Sequence, residues 1–323
     1  MSSVTRLALT ILLAVSLTGC KSAPAEPDAA LPPPEDDLAV APLPDVRPAP
    51  DKPDPSVMVA AVQYASGQFA EVAGCGDDLC ALSALVKDAK QQGAEMAGVP
   101  EGSADQTTAE LAPAIGDAPA TDARWKEGSI IKTFAKLALE QKMFLVFNVV
   151  TQEGSTLYNT NLAVGPDGKV LARHYKIQLF TGEEKYFKPG TTIENSFFES
   201  PVGRTGLLIC ADAQCVVTDM KVTGDCSAAS VALLKDFFSA EKKPDTLFFS
   251  AHWTVGGAGI WAALNVQKKT ATYGPSYLVA ANHSDPRNPG RGGGIYDPSG
   301  NALAQDASGK PVVLVARIPR VKK

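Results

Sequence analysis

The segment GLLICADAQC, Gly206 to Cys215, puts a thiol at the end of an apolar run, an acid two residues further on at Asp212, and a second thiol at Cys215. Three chemistries suit such a spacing: a disulfide, a metal site, or a nucleophilic cysteine. Two other reactive residues share the same kind of position. Glu101 follows EMAGVP and Lys176 follows KVLARHY. Each of the three therefore lies where a strand is expected to run out, the edge at which open α/β sheets bind ligands. Position alone is weak ground, because acids and lysines after strands are mostly solvated and a strand-end cysteine is mostly core. A zinc site has little support. The chain holds three histidines, His174, His252 and His283, and none stands at ligand spacing from a cysteine pair.

The elements that must carry these residues follow from periodicity. VMVAAVQY reads as a buried strand, CALSALVKDAKQQG as a helix stopped at Gly93, and AEMAGVP as a strand that delivers Glu101. EGSIIKTFAKLALEQK is a helix and MFLVFNVV a strand. TLYNTNLAVGPDGKVLARHYK is a hairpin, turned at GPDGK, that delivers Lys176. TGLLIC, DTLFFSA and PSYLVAAN are strands, separated by helices over SAASVALLKDFFSAEK and AGIWAALNVQKKTATYG; the tail from GGGIYDPSG onward alternates short strands with turns. Strands alternate with helices early and accumulate late, which predicts a layered α/β sandwich. No internal repeat is visible.

The region ahead of these elements has another character. Residues 1–20, MSSVTRLALTILLAVSLTGC, carry Arg6, an apolar run from Leu7 to Leu17 and small residues before Cys20, the anatomy of a secretory signal whose apolar run is too short to span a bilayer. Its ending, LTGC, resembles the lipobox of bacterial lipoproteins, which implies lipid on Cys20 and, with Lys21 next, a place in the cell envelope, at the outer membrane. Residues 21–56 are dense in proline, alanine and acids and lack aromatics, a composition that cannot bury enough surface to fold; they are expected to be a solvated tether. Residues 57–323 form the predicted folded domain. The net charge of -5 has the acidic tether as a main contributor, and no basic stripe interleaved with aromatics follows it, which argues against nucleic acid as a partner.

Of six cysteines, lipid on Cys20 leaves Cys75, Cys80, Cys210, Cys215 and Cys226, an odd number that points to one free thiol in an exported chain. Nearest-neighbour pairing joins Cys75 to Cys80 and Cys215 to Cys226 and leaves Cys210 over; Cys210 with Cys215 is the competing bridge.

Three segments together resemble the nitrilase superfamily of carbon-nitrogen hydrolases: GAEMAGVPE, GPDGKVLARHYKIQLF with EEKYFKPG after it, and FFESPVGRTGLLICAD. The resemblance extends from about Val57 to the carboxyl end, and YNTNLAVGPDGKVLARHYKIQLF, SPVGRTG and GGGIYDPSG are most similar to the vanin and biotinidase branch. It implies a four-layer α-β-β-α sandwich, with Cys210 as nucleophile, Glu101 as general base and Lys176 as cationic partner. It further implies an assisting glutamate, Glu183 in preference to Glu184, and no metal or organic cofactor. A carboxylate or cation near the thiol is expected to favour the thiolate. Such a low-pKa thiol in an oxidising compartment calls for a recessed pocket.

The reaction so implied is hydrolysis of a linear amide of a small molecule. The alternatives are a nitrile as substrate, or a binding lipoprotein without turnover. A monomer and a homodimer are both compatible. The chain departs from the pattern at ADAQCVVTDM, which follows the nucleophile, and at Ala97 and Gly98, where large aliphatics are usual before the base. Asp212 reads as a helix-start acid stabilised by amide dipoles, and Trp253 as a pocket wall or a core aromatic.

Overall fold

In the computed structural model the described residues are 55–104, 108–216, 226–252, 268–284, 292–306 and 308–321. The signal, Cys20 and nearly all of the predicted tether lie outside them, as does Trp253.

Thirteen strands are described. They are β1 (Ser56–Gln63), β2 (Met96–Gly98), β3 (Glu110–Leu111), β4 (Phe144–Glu153), β5 (Thr156–Val164), β6 (Val170–Tyr175), β7 (Phe197–Ser200), β8 (Gly203–Ile209), β9 (Thr246–Ser250), β10 (Tyr277–Ala281), β11 (Gly294–Tyr296), β12 (Ala302–Gln305) and β13 (Val312–Pro319). The helices are α1 (Asp78–Gln91), α2 (Ile130–Gln141), α3 (Ala211–Val216) and α4 (Ala228–Phe237). Residues 268–273 add a helical segment; the part of the predicted helix before it lies outside the described residues.

Local chemistry sets the helix starts. Asp77 caps α1 by accepting the Cys80 amide at 2.7 Å, and Ala81, Leu82, Leu85, Val86 and Ala89 form its buried stripe. Glu110, carried by β3, takes the first amides of α2 at Ile130 and Ile131, with distances of 2.5 and 3.1 Å. The predicted GPDGK turn closes between β5 and β6 with Gly168 at φ 75°, a left-handed conformation that suits glycine.

Two sheets result, in the orders β13-β1-β2-β4-β5-β6, with β3 beside β4, and β12-β11-β10-β9-β8-β7. In the first, β13 runs antiparallel to β1, β1, β2 and β4 are parallel, and β5 and β6 continue antiparallel. Taken from β7 to β12, the second sheet repeats that pattern. A duplicated architecture thus underlies a sequence with no visible repeat. The tail divides: β11 and β12 extend the second sheet, while β13 returns to pair along the whole of β1. Phe197–Ser200, quoted above only as part of a motif, is a strand because it pairs with β8 across the Gly203 turn.

Strand alternation sorts the apolar residues into three layers of core. Val57, Val59, Ala61, Leu207, Phe248 and Val279 pack between the sheets. Val62, Ala97 and Phe147 pack against α1 and α2, and Leu208, Leu247, Phe249 and Leu278 face the α4 side. The fold is the four-layer α-β-β-α sandwich expected from the sequence. Ala97 and Gly98 now have a physical reason. Ala97 lies on the helix side, and a Cβ on Gly98 would come within 2.9 Å of the Phe248 ring, so the missing side chain makes room for a phenylalanine from the other sheet.

Among the described residues no helix is long and apolar enough to cross a membrane.

Candidate active site

Glu101 follows β2, Lys176 follows β6 in the same sheet, and Cys210 follows β8 in the facing sheet. Lys176 Nζ lies 2.7 Å from Glu101 Oε1 and 2.9 Å from Glu183, all three side chains being largely withdrawn from solvent. Glu183 also accepts the Phe180 amide at 2.7 Å, which turns it toward the lysine. Glu184, the alternative, is instead paired with the Gly182 amide at 2.6 Å.

Cys210 is 5% exposed, at φ 42°. A non-glycine residue in this left-handed region costs roughly 1–2 kcal/mol. Neighbouring bonds hold it there: its amide donates to the Ser250 carbonyl at 2.9 Å, and the Ala213 amide donates back to its own carbonyl at 3.2 Å. The thiol thus sits on a sharp turn between β8 and α3. Cys75 is bonded to Cys80 and Cys215 to Cys226, the nearest-neighbour pairing, and Cys210 is the free cysteine among the described residues. The second bridge ties α3, directly after Cys210, to the start of α4.

Electrostatics correct one expectation. Burial pushes the Cys210 thiol up, and the charges of Glu101 and Glu183 push it further; Lys176 and the His252 amide oppose this without prevailing. The thiol therefore rests protonated rather than as a thiolate. Burial also disfavours the charged form of Glu101, yet the charge and hydrogen bond of Lys176 and the Asn159 amide outweigh it and hold the carboxyl below its ordinary range. Lys176 behaves in the same way: burial would neutralise it, but the charges of Glu101 and Glu183 and the hydrogen bond to Glu101 keep it charged to well above its ordinary range. Glu183 is pushed up, by burial and by Glu101, against the pull of Lys176.

Several residues that sequence reasoning missed complete the site. Asn159 on β5 donates to Glu101 Oε1 at 2.7 Å, and its own oxygen is held by Asn148 at 2.8 Å. Asn148 also accepts the Gly102 amide at 3.0 Å, and His283 Nε2 lies 2.6 Å from the Glu101 carbonyl, so the backbone of the acid is held on both sides. The signal was present: Asn148, Asn159 and Asn161 are amides inside otherwise apolar strands, where an unpaired polar group would be costly. After these bonds, Glu101 Oε2 is a buried oxygen with no hydrogen-bond partner.

Asp212 lies in the first turn of α3, but its partners are not the amides of that helix. It accepts from Ile209 at 3.0 Å, Ile177 at 3.0 Å, Gln178 at 2.7 Å and His174 at 2.9 Å. Beside the site a cleft of about 380 Å³ is lined by Ile177, Gln178, Phe180, Ala211, Gln214 and Ser227. Among the described residues, no cluster of histidine, cysteine and acidic side chains could hold a metal ion.

A buried carboxylate, lysine and thiol gathered at strand ends between two sheets define a cysteine-centred site on an α-β-β-α sandwich. The chain belongs to the carbon-nitrogen hydrolase family of the nitrilase superfamily, whose model matches residues 58–219. It is similar to the omega-amidase of Mus musculus, at 31% identity over 153 residues, 42% of this chain and 50% of that protein. It is also similar to the biotinidase of Rattus norvegicus, at 26% over 188 residues, 54% of this chain and 32% of that protein. The chain thus spans half or less of the length of these curated relatives. Among solved structures, an amidase from Nesterenkonia sp. AN1, with acrylamide added to its active-site cysteine, aligns with a TM-score of 0.59 over 81% of this chain and 93% of that one. At 18% identity that likeness shows the fold alone.

Proposed function

We propose that this protein hydrolyses a linear, non-peptide amide through a thioester on Cys210. The observation that carries the reading is the free, buried Oε2 of Glu101, whose other oxygen is occupied by Lys176 and Asn159, in a site where the thiol is protonated and the carboxyl ionised. Acceptor and proton are thereby matched. Glu101 takes the thiol proton as sulfur bonds to the amide carbon. The Lys176 ammonium and a backbone amide near Cys210 stabilise the oxyanion. As the C–N bond breaks, Glu101 passes its proton to the leaving amine, and the acyl group remains on sulfur. Glu101 then takes a proton from water, the resulting hydroxide attacks the thioester, and the departing sulfur recovers the proton.

The fine assignment is a pantetheinase- or biotinidase-like amidase. Its support is the resemblance of the hairpin and GGGIYDPSG segments, together with the similarity to a biotinidase. The polar groups of the cleft include Gln178, Gln214 and Ser227 together with the acid Glu184, which suits a polar leaving group. The anatomy of residues 1–20 supports action at the cell envelope, anchored through lipid on Cys20. The test is release of amine or ammonia by the full chain and its Cys210→Ala variant. The panel holds pantetheine, a biotinyl amide, simple aliphatic amides and a nitrile. Turnover of one amide, lost in the variant, is expected. Turnover of the nitrile alone would make it a nitrilase, and no turnover would leave a binding protein.

A further inference from the structure

Behind Cys210 and Lys176 runs a chain of side chains that the chemistry above does not use. His174 Nδ1 lies 2.8 Å from Ser196 Oγ and Nε2 lies 2.9 Å from Asp212 Oδ2, with all three residues buried. A serine, histidine and aspartate in line suggest a second hydrolytic triad, but the bonding of Asp212 argues otherwise. Its Oδ1 accepts the Ile177 and Gln178 amides, and its Oδ2 accepts the Ile209 amide together with His174. Four donors occupy both oxygens, and nothing is left for a reacting group. Because an ionised carboxylate only accepts, the hydrogen lies on His174 Nε2.

The amides gathered on Asp212 are those of the residue before the nucleophile and of the two residues after the lysine. Those segments belong to different sheets, since β6 is an edge strand of one and β8 lies in the other, and no ladder joins them. We propose that Asp212, oriented by His174, is a positioning residue that sets Cys210 against Lys176, by binding the end of β8 and the end of β6 to a single carboxylate. It acts through the backbone: the bond to Ile209 helps close the turn that holds Cys210 at positive φ, and the bonds to Ile177 and Gln178 fix where Lys176 emerges. The catalytic arm of the test rests on the amide-hydrolase reading above; the alkylation arm does not.

The experiment uses the full chain as wild type, Asp212→Asn, His174→Leu and His174→Gln. The readouts are kcat and KM on the amide that is turned over, the rate of Cys210 alkylation by iodoacetamide located by peptide mass, and a thermal melt to establish folding. Glutamine offers a donor near the place of Nε2, whereas leucine offers none. Misplacement of reacting groups by about 1 Å costs up to about 100-fold, so His174→Leu and Asp212→Asn are expected to lower kcat and alkylation by about 10- to 100-fold. KM should stay near the wild-type value, and His174→Gln should stay close to wild type in both rates. A folded His174→Leu with wild-type rates would overturn the proposal, as would equal losses in His174→Leu and His174→Gln. If Asp212→Asn fails to fold, the two histidine variants decide. If the wild type turns over no amide, the functional reading fails, and the alkylation rates of the histidine variants still decide the positioning role.

Discussion

Glu101 and Lys176 meet at 2.7 Å with 6% and 1% of their side chains exposed, so an acid from the end of β2 and a cation from the end of β6 form an ion pair almost sealed from water. Such a pair is costly to form and costlier to break, because either partner left alone is a buried uncompensated charge. In the proposed reaction the pair supplies a permanent cation beside the base.

Glu101→Gln keeps the shape and removes the base. General-base loss is expected to lower kcat by about 10²- to 10⁴-fold, measured by amine release. Asn159→Ala, which removes one hydrogen bond to that charged carboxylate, is expected to cost about 1.5–3 kcal/mol of its stabilisation and a correspondingly smaller loss of rate. Equal losses in the two variants would argue against Glu101 as the base.

The pH profile follows from the directions of the shifts. The base is lost when Glu101 protonates, below the ordinary carboxylate range, and the thiol proton is lost well above the ordinary thiol range. A wide plateau in kcat/KM between those limits is the expected outcome. Stability has matching signs. Depressed in the fold, Glu101 contributes stability that is present above its unfolded pKa and lost as pH falls through the folded one. Raised in the fold, Lys176 contributes stability that is present below its unfolded pKa and lost only as pH rises through its high folded value. Denaturant midpoints across pH, compared with Glu101→Gln, check both.

Gly98→Ala places a methyl 2.9 Å from the Phe248 ring between the sheets. Overpacking of this kind costs about 1–3 kcal/mol, and Phe248→Leu should recover part of that cost when both changes are present. A double-mutant cycle by chemical denaturation measures the coupling, and additive costs would count against the contact.

Peptide mapping without reduction is expected to join Cys215 to Cys226 and to leave Cys210 free; a bridge from Cys210 to Cys215 would overturn the assignment of the nucleophile. Replacing Cys215 and Cys226 together by serine should remove about 2–3 kcal/mol of stability, as for a short disulfide loop. Lower activity should accompany it, because the bridge holds α3 directly after Cys210.

Much of this was legible in the chain itself. Apolar alternation located most of the strands, helical periodicity located α1 and α2 with Gly93 as the stop of the first, and the strand-end positions of Glu101, Lys176 and Cys210 identified the residues worth watching. These signals are local, written in neighbours a few residues apart. The tertiary structure decided what depends on distant partners. It paired β13 with β1, and it gave two sheets one strand pattern without a shared repeat, since hydrogen-bond ladders do not require like side chains. It explained Gly98 by a ring on β9, and it gathered Asn159, His283 and Asp212 around the site from separate strands and turns. It also reversed the expected state of the thiol. Residue types predict a nucleophile near a base and a cation, but burial and the number of surrounding charges set the protonation, and those exist only once the sheets have packed.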